Sequence, residues 1–210
     1  MSVSAASTIS SIDQVDAILR EWLADPDLTL ICGRWSDGGL MEVMPEGRAT
    51  LTRPRYDGAF SGLRDLNLDG QHHHIHLDLE KLRRAVYLVA PSVCYGFRPS
   101  FEVRLCASDD VATTAFGLGL SVRRPYHRDR LSHEAVRRYL RRLVSHRAAN
   151  PGVVGIRAVD GPVPSTVAPR RAEDWSAIGH CVAEEFGVDV DIHDAATFTT
   201  ALNAVAGGAA

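Results

Sequence analysis

Four of the nine histidines in this chain fall within five residues, His72, His73, His74 and His76. The segment runs Gln71-His-His-His-Ile-His-Leu-Asp-Leu-Glu80. Read at a period of two, it puts His72, His74, His76, Asp78 and Glu80 on one face. His73, Ile75, Leu77 and Leu79 fall on the other, the pattern of a strand with one buried and one polar side. A helix is the competing reading from Asp78 onward. Alternate residues of a strand lie about 6.6 Å apart on one face, so two imidazoles at that spacing can converge on one ion. His72, His74 and His76 are therefore the candidate ligands for a divalent metal. A heme iron asks for less, a single neutral imidazole. The bland alternative, a solvent-exposed His/Asp face on an edge strand, stays open beside both.

Other constellations carry less. No Gly-x-Ser-x-Gly, phosphate-binding loop or helix-opening Gly-x-Gly-x-x-Gly occurs. Asp191-Ile-His-Asp194 reads either as a second metal pair or as a surface strand end. Cys94-Tyr95 offers a thiolate or a phenolate, both known as heme ligands, although a buried core cysteine is the commoner role. His127 and His133 flank Arg128-Asp-Arg130 and read either as residues facing a cleft or, more simply, as surface residues.

The elements that would position these groups are legible from periodicity. Ile12 to Ala24 predicts an amphipathic helix ended by Asp25-Pro26-Asp27. Leu28–Gly33 and Leu40–Met44, with Ser36-Asp-Gly-Gly39 between them, predict a hairpin. Arg48 to Thr52 alternates weakly, and Arg53–Gly70 reads as a long loop holding one short strand. Ala85–Ala90 reads as a central strand. Phe101–Cys106 and Phe116–Val122 alternate as strands. In the latter the second face is Gly117, Gly119 and Ser121, and such a bare face usually means that something flat or another backbone lies against it.

Ser132 caps a helix to Arg147 with Val136, Tyr139, Leu140, Leu143 and Val144 on its apolar stripe. Its other side carries Arg137, Arg138, Arg141 and Arg142, read as a solvated face. Pro151–Val159 holds a strand and Gly161–Arg171 reads as a linker. Helix Ala172–Phe186, a short strand through Val188, Val190 and Ile192, and a helix capped by Asp194 complete the chain. The fold class is α+β: a mainly antiparallel meander with flanking helices and a C-terminal helix-strand-helix extension. The expected divisions are a disordered leader over 1–11, an α+β domain over 12–150, and an extension over 151–210 that packs on the domain or on a second subunit.

Composition narrows the class. In 210 residues, 45% hydrophobic and 23% charged is globular, not disordered. No apolar run approaches the ~20 residues of a membrane span, and the start has no secretory signal, which suggests a cytoplasmic protein. A net charge of −3 argues against a dedicated nucleic-acid binder. The four scattered cysteines read as free thiols.

The order of these features resembles the cytosolic heme-utilisation carriers. Leu28-Thr-Leu-Ile-Cys-Gly-Arg34 with Gly39-Leu-Met-Glu-Val-Met-Pro-Glu-Gly47 is similar to their early hairpin. His76-Leu-Asp-Leu79, Ala85–Ala90, Tyr95-Gly-Phe97, Phe101–Leu105, Phe116–Leu120 and the Ser132 helix follow in similar order, over about residues 12–147. The resemblance implies heme as cargo or cofactor and a homodimer formed through the sheet. It also shows one departure: the family's His-Gly segment falls on Asp57-Gly-Ala-Phe60, so its heme-contacting histidine is an aspartate here. The axial ligand is then expected from His74, His76 or Tyr56. Gly117 and Gly119 would admit the macrocycle, and Arg53, Arg55, Arg64 or Arg98 would pair with its propionates. A heme-dependent or non-heme metal enzyme, and a cofactor-free interaction protein, remain the alternatives.

Overall fold

The computed structural model describes residues 10–36, 39–43, 49–53, 62–68, 74–108, 116–161 and 164–208; for residues 30–36, 39–43 and 116–120 it describes the backbone alone. The architecture is α+β. Helix α1 spans Ser11–Ala24. The strands that follow are β1 (Leu28–Ser36), β2 (Gly39–Val43), β3 (Ala49–Thr52), β4 (Leu63–Leu68), β5 (His74–Asp78), β6 (Arg84–Ser92), β7 (Arg98–Cys106), β8 (Phe116–Val122), β9 (Tyr126–His127) and β10 (Arg130–Leu131). After them come α2 (His133–Ala149), β11 (Val154–Ala158), α3 (Ala168–Phe186) and α4 (Ala195–Gly207). They form a six-stranded sheet in the order β11-β6-β7-β8-β1-β2, a three-stranded sheet β3-β4-β5, and the hairpin β9-β10.

The core grows from the alternations visible in the sequence. In the large sheet, Tyr87 and Val89 of β6 and Phe101, Val103 and Leu105 of β7 face the helices and are buried. Helix α2 lays Val136, Tyr139, Leu140, Leu143 and Val144 onto them. Its cap is the expected one: the Ser132 hydroxyl accepts from the Ala135 amide. Helix α1 joins the two sheets. Its Trp22 indole N–H donates to the Tyr87 hydroxyl at 3.1 Å, while Arg20 donates to the Leu51 carbonyl at 2.8 Å. Leu51, Leu66, Leu68 and Leu77 of the small sheet belong to the same hydrophobic cluster.

Several expectations need correction. Strand β11 pairs parallel to β6, with Val154 opposite Ala85, so the large sheet is mixed at that edge. Helix α3 begins at Ala168 rather than Ala172, because Pro169 sits in the first turn, where its missing N–H costs no hydrogen bond. Residues 188–193 form no strand. They lie along α3, where a side chain on Gly179 would come within 3.2 Å of the Ile192 Cβ, and a helix offers no ladder to pair with. Asp194 does cap α4, in a reciprocal box with Thr197.

The arginine face of α2 is not simply solvated. Arg138 pairs with Asp27, Arg142 with Asp25 and Glu21, Arg137 with Glu184, and Arg141 with Glu185. These pairs tie α2 to the α1–β1 junction and to α3. Burial pushes the Asp25 carboxyl up. The Asp27 amide and the Arg142 guanidinium outweigh that and hold it below the ordinary range.

Residues 151–210 thus contribute a strand to the large sheet, and α3 and α4 pack against α2, β7 and β11. Trp175, Ile178, Cys181, Val182, Phe198 and Leu202 join the common hydrophobic cluster. No helix among the described residues is long and apolar enough to cross a membrane.

Candidate functional site

The small sheet carries His74 and His76 on one face, as the period-two reading places them; His72 and His73 lie outside the described residues. Its register sets two rows of directly opposed residues, Thr50–Asn67–His74 and Thr52–Asp65–His76. Leu51, Leu66, Leu68 and Leu77 point the other way into the core, which forces both rows outward. His74 and His76 are exposed, with ring centroids 4.7 Å apart in an edge-to-face arrangement.

The structure adds Asp65, which lies in the stretch that the sequence predicts as a long loop. Its carboxylate lies 2.6 Å from His76 Nδ1. A carboxylate can only accept, so Nδ1 carries the proton. In the neutral ring, Nε2 is then the nitrogen with a free lone pair. Carboxylates that orient and polarise imidazoles in this way are the usual outer partners of metal-bound histidine. Asn67 extends the row system by donating to the Thr52 hydroxyl at 3.0 Å.

The other expected site residues are not gathered here. Arg98 lies on β7 in the other sheet. Its guanidinium grips both oxygens of Asp174 at 2.8 and 2.6 Å, donates to the Asp129 carbonyl, and lies 4.0 Å from the centre of the Tyr126 ring. Asp174 is 2% exposed, so this is a buried structural pair and Arg98 is already committed. Arg64 is likewise buried beneath α1, paired with Asp16. Burial raises the Asp16 carboxyl, but Arg20 and Arg64 together hold it below its ordinary value. Arg53 is solvent-exposed, 4.0 Å from Asp13.

Gly117 and Gly119 lie on β8, hydrogen-bonded between β1 and β7. Across the ladders Gly117 is opposite Gly33, while Gly119 is opposite Ile31 on one side and Arg104 on the other. Tyr56, Arg55 and His72 lie outside the described residues, as does Asp57-Gly-Ala-Phe60. Tyr95 is half-buried with its ring 5.6 Å from that of Tyr126, and burial pushes its phenol up. Cys94 is exposed. Cys94, Cys106 and Cys181 are free thiols.

Two further clusters are brought together by the fold. The first is a buried relay. Trp22 donates to Tyr87, Tyr87 Oη lies 2.9 Å from His146 Nδ1, and His146 Nε2 lies 2.9 Å from Glu21. The Glu21 carboxylate can only accept, so His146 Nε2 carries a proton; in the neutral ring Nδ1 is then the acceptor and the Tyr87 hydroxyl donates to it. Burial raises the Tyr87 phenol far out of the physiological range, which makes this a structural network.

The second is an open groove of about 800 Å³ between α3 and residues 189–192, with His133 and His180 at its edge, their rings 6.3 Å apart. His180 already contacts Glu184 at 3.2 Å, and His193 contacts Asp191 at 3.5 Å. Among the described residues, no group of three His, Cys, Asp or Glu side chains is placed to hold a metal ion.

No family model matches the chain. No curated protein matches it either.

Proposed function

We propose that this protein binds heme through His76, with Asp65 holding the imidazole and His74 beside it. The observation that carries the reading is the 2.6 Å contact between Asp65 and His76 Nδ1 on a solvent-facing sheet, which leaves Nε2 open. A heme iron needs one such nitrogen, whereas a metal site built from protein alone needs three or four donors. The resemblance of the order of features in the sequence to that of the heme-utilisation carriers supports the same choice.

The residues present fit this group at its iron. At its edge, Arg53 is the described arginine that fits a propionate, since Arg64 and Arg98 are occupied elsewhere. Heme supplies the iron and its affinity for imidazole. The chain supplies an oriented lone pair, a fixed Nδ1 proton and an exposed face from which cargo can be handed on. The reading makes the protein an intracellular carrier, dimeric through its sheet. Hemin titration of the wild type and of His76→Ala, followed by the Soret band, tests it.

A further inference from the structure

Many of the described arginines are held by acids, and three exposed ones that are not sit close together. Arg64, Arg98, Arg137, Arg138, Arg141, Arg142 and Arg171 each have a carboxylate partner. Arg124, Arg128 and Arg130 are exposed and have no ion pair among the described residues. They sit on and beside the β9–β10 hairpin, where residues 123–130 hold four arginines and one aspartate, a net +3 in a chain whose total is −3.

The hairpin is anchored from below. Arg98, fixed by buried Asp174, donates to the Asp129 carbonyl, Tyr126 donates to the Pro99 carbonyl at 2.8 Å, and the Ser132 amide donates to the Pro125 carbonyl at 2.8 Å. These anchors hold Arg124, Arg128 and Asp129 in left-handed conformations, with φ of 49°, 48° and 60°.

A second feature adjoins it. Among the described residues, Val93 alone of the large hydrophobics is exposed, at 75%. It lies in the Val93-Cys-Tyr95 turn, whose Tyr95 ring contacts that of Tyr126. A rigid basic hairpin beside one bare apolar side chain has the make-up of a protein-docking surface, an apolar anchor with a charged rim.

We infer that this turn and hairpin form a docking surface for an acidic segment of a partner protein, with an apolar side chain of that segment seated on Val93. The chain's overall negative charge disfavours an extended polyanion such as DNA, whose phosphates run well beyond so small a patch. The inference is independent of heme.

The test uses the full-length protein and fluorescent probes: a hexaglutamate peptide with a central leucine, its glutamine counterpart, a single-stranded oligonucleotide, and phosphatidylglycerol vesicles. Arg124→Gly and Arg128→Gly remove charge at positions where glycine relieves backbone strain, and Arg130→Ala completes the variant. The acidic peptide is expected to bind, to weaken with salt, and to lose about tenfold or more in affinity in the triple variant, with melting temperature unchanged or raised. Val93→Ser is expected to weaken the peptide while leaving its salt slope intact. The proposal is overturned if the acidic peptide does not bind, if the triple variant binds it as the wild type does, or if the oligonucleotide or vesicles bind more tightly.

Discussion

Replacing Asp174 with alanine separates a structural Arg98 from a ligand-binding one. In the folded protein the two side chains are 11% and 3% exposed and joined by two short hydrogen bonds, 2.6 and 2.8 Å. The loss of Asp174 strands a guanidinium that keeps only the Asp129 carbonyl and the face of Tyr126. Removing one partner of a buried pair costs about 3–5 kcal/mol, because the remaining charge is left uncompensated. In a chain of this size each kcal/mol lowers the melting temperature by about 2–4 °C, so the expected drop is about 6–20 °C. Urea unfolding of the wild type, Asp174→Ala and the double replacement Arg98→Met/Asp174→Leu measures it. The double variant should recover most of the loss, since a well-packed apolar pair can replace a buried ion pair at little cost. A single variant that unfolds within about 1 kcal/mol of the wild type refutes the assignment. Loss of ligand affinity without loss of stability would return Arg98 to a binding role.

Three further outcomes follow from the packing. Tyr87→Phe leaves the Trp22 N–H and His146 Nδ1 buried and unpaired, and should cost about 1–3 kcal/mol for each group, read by urea unfolding. The Asp16 and Asp25 carboxyls titrate below their ordinary value of 3.8 when folded, so the unfolded chain binds protons first. The stability they give is complete above that value and is lost as pH falls through the folded values. Asp16→Asn should therefore flatten the pH dependence of stability below about pH 4, measured by unfolding at stepped pH. Removing residues 160–210 takes away Asp174 and the helices over α2, and should give aggregated protein by light scattering. A soluble, cooperatively melting fragment would show that residues 1–159 fold on their own.

What the sequence made legible was whatever repeats at short range. β5, β7 and α2 follow from alternation or a helical stripe, and the solvent face of His74 and His76 followed with them. β4 was expected only as one unplaced short strand within the Arg53–Gly70 loop, because Arg64 occupies a core-facing position and breaks the apolar half of the alternation; its charge is met by Asp16, far away in sequence. Asp65 was lost with that strand, and with it the partner that orients His76. The parallel pairing of β11 with β6 and the Arg98–Asp174 pair rest on contacts about seventy residues apart, for which no local pattern exists. Residues 188–192 show the reverse error: they alternate as a strand would, but the neighbour that the fold provides is a helix.

In the proposed function His76 Nε2, set by Asp65, is the iron ligand. Hemin titration followed at the Soret band, with the wild type, His76→Ala, His74→Ala and Asp65→Asn compared at matched circular dichroism, tests it most directly. Saturable one-to-one binding by the wild type and a shifted, weakened Soret transition in His76→Ala are expected. Asp65→Asn should lose about 10–100-fold in affinity, as expected when the partner of a ligating imidazole is removed. Equal affinity and identical spectra across all four proteins, or no saturable binding by the wild type, would contradict it.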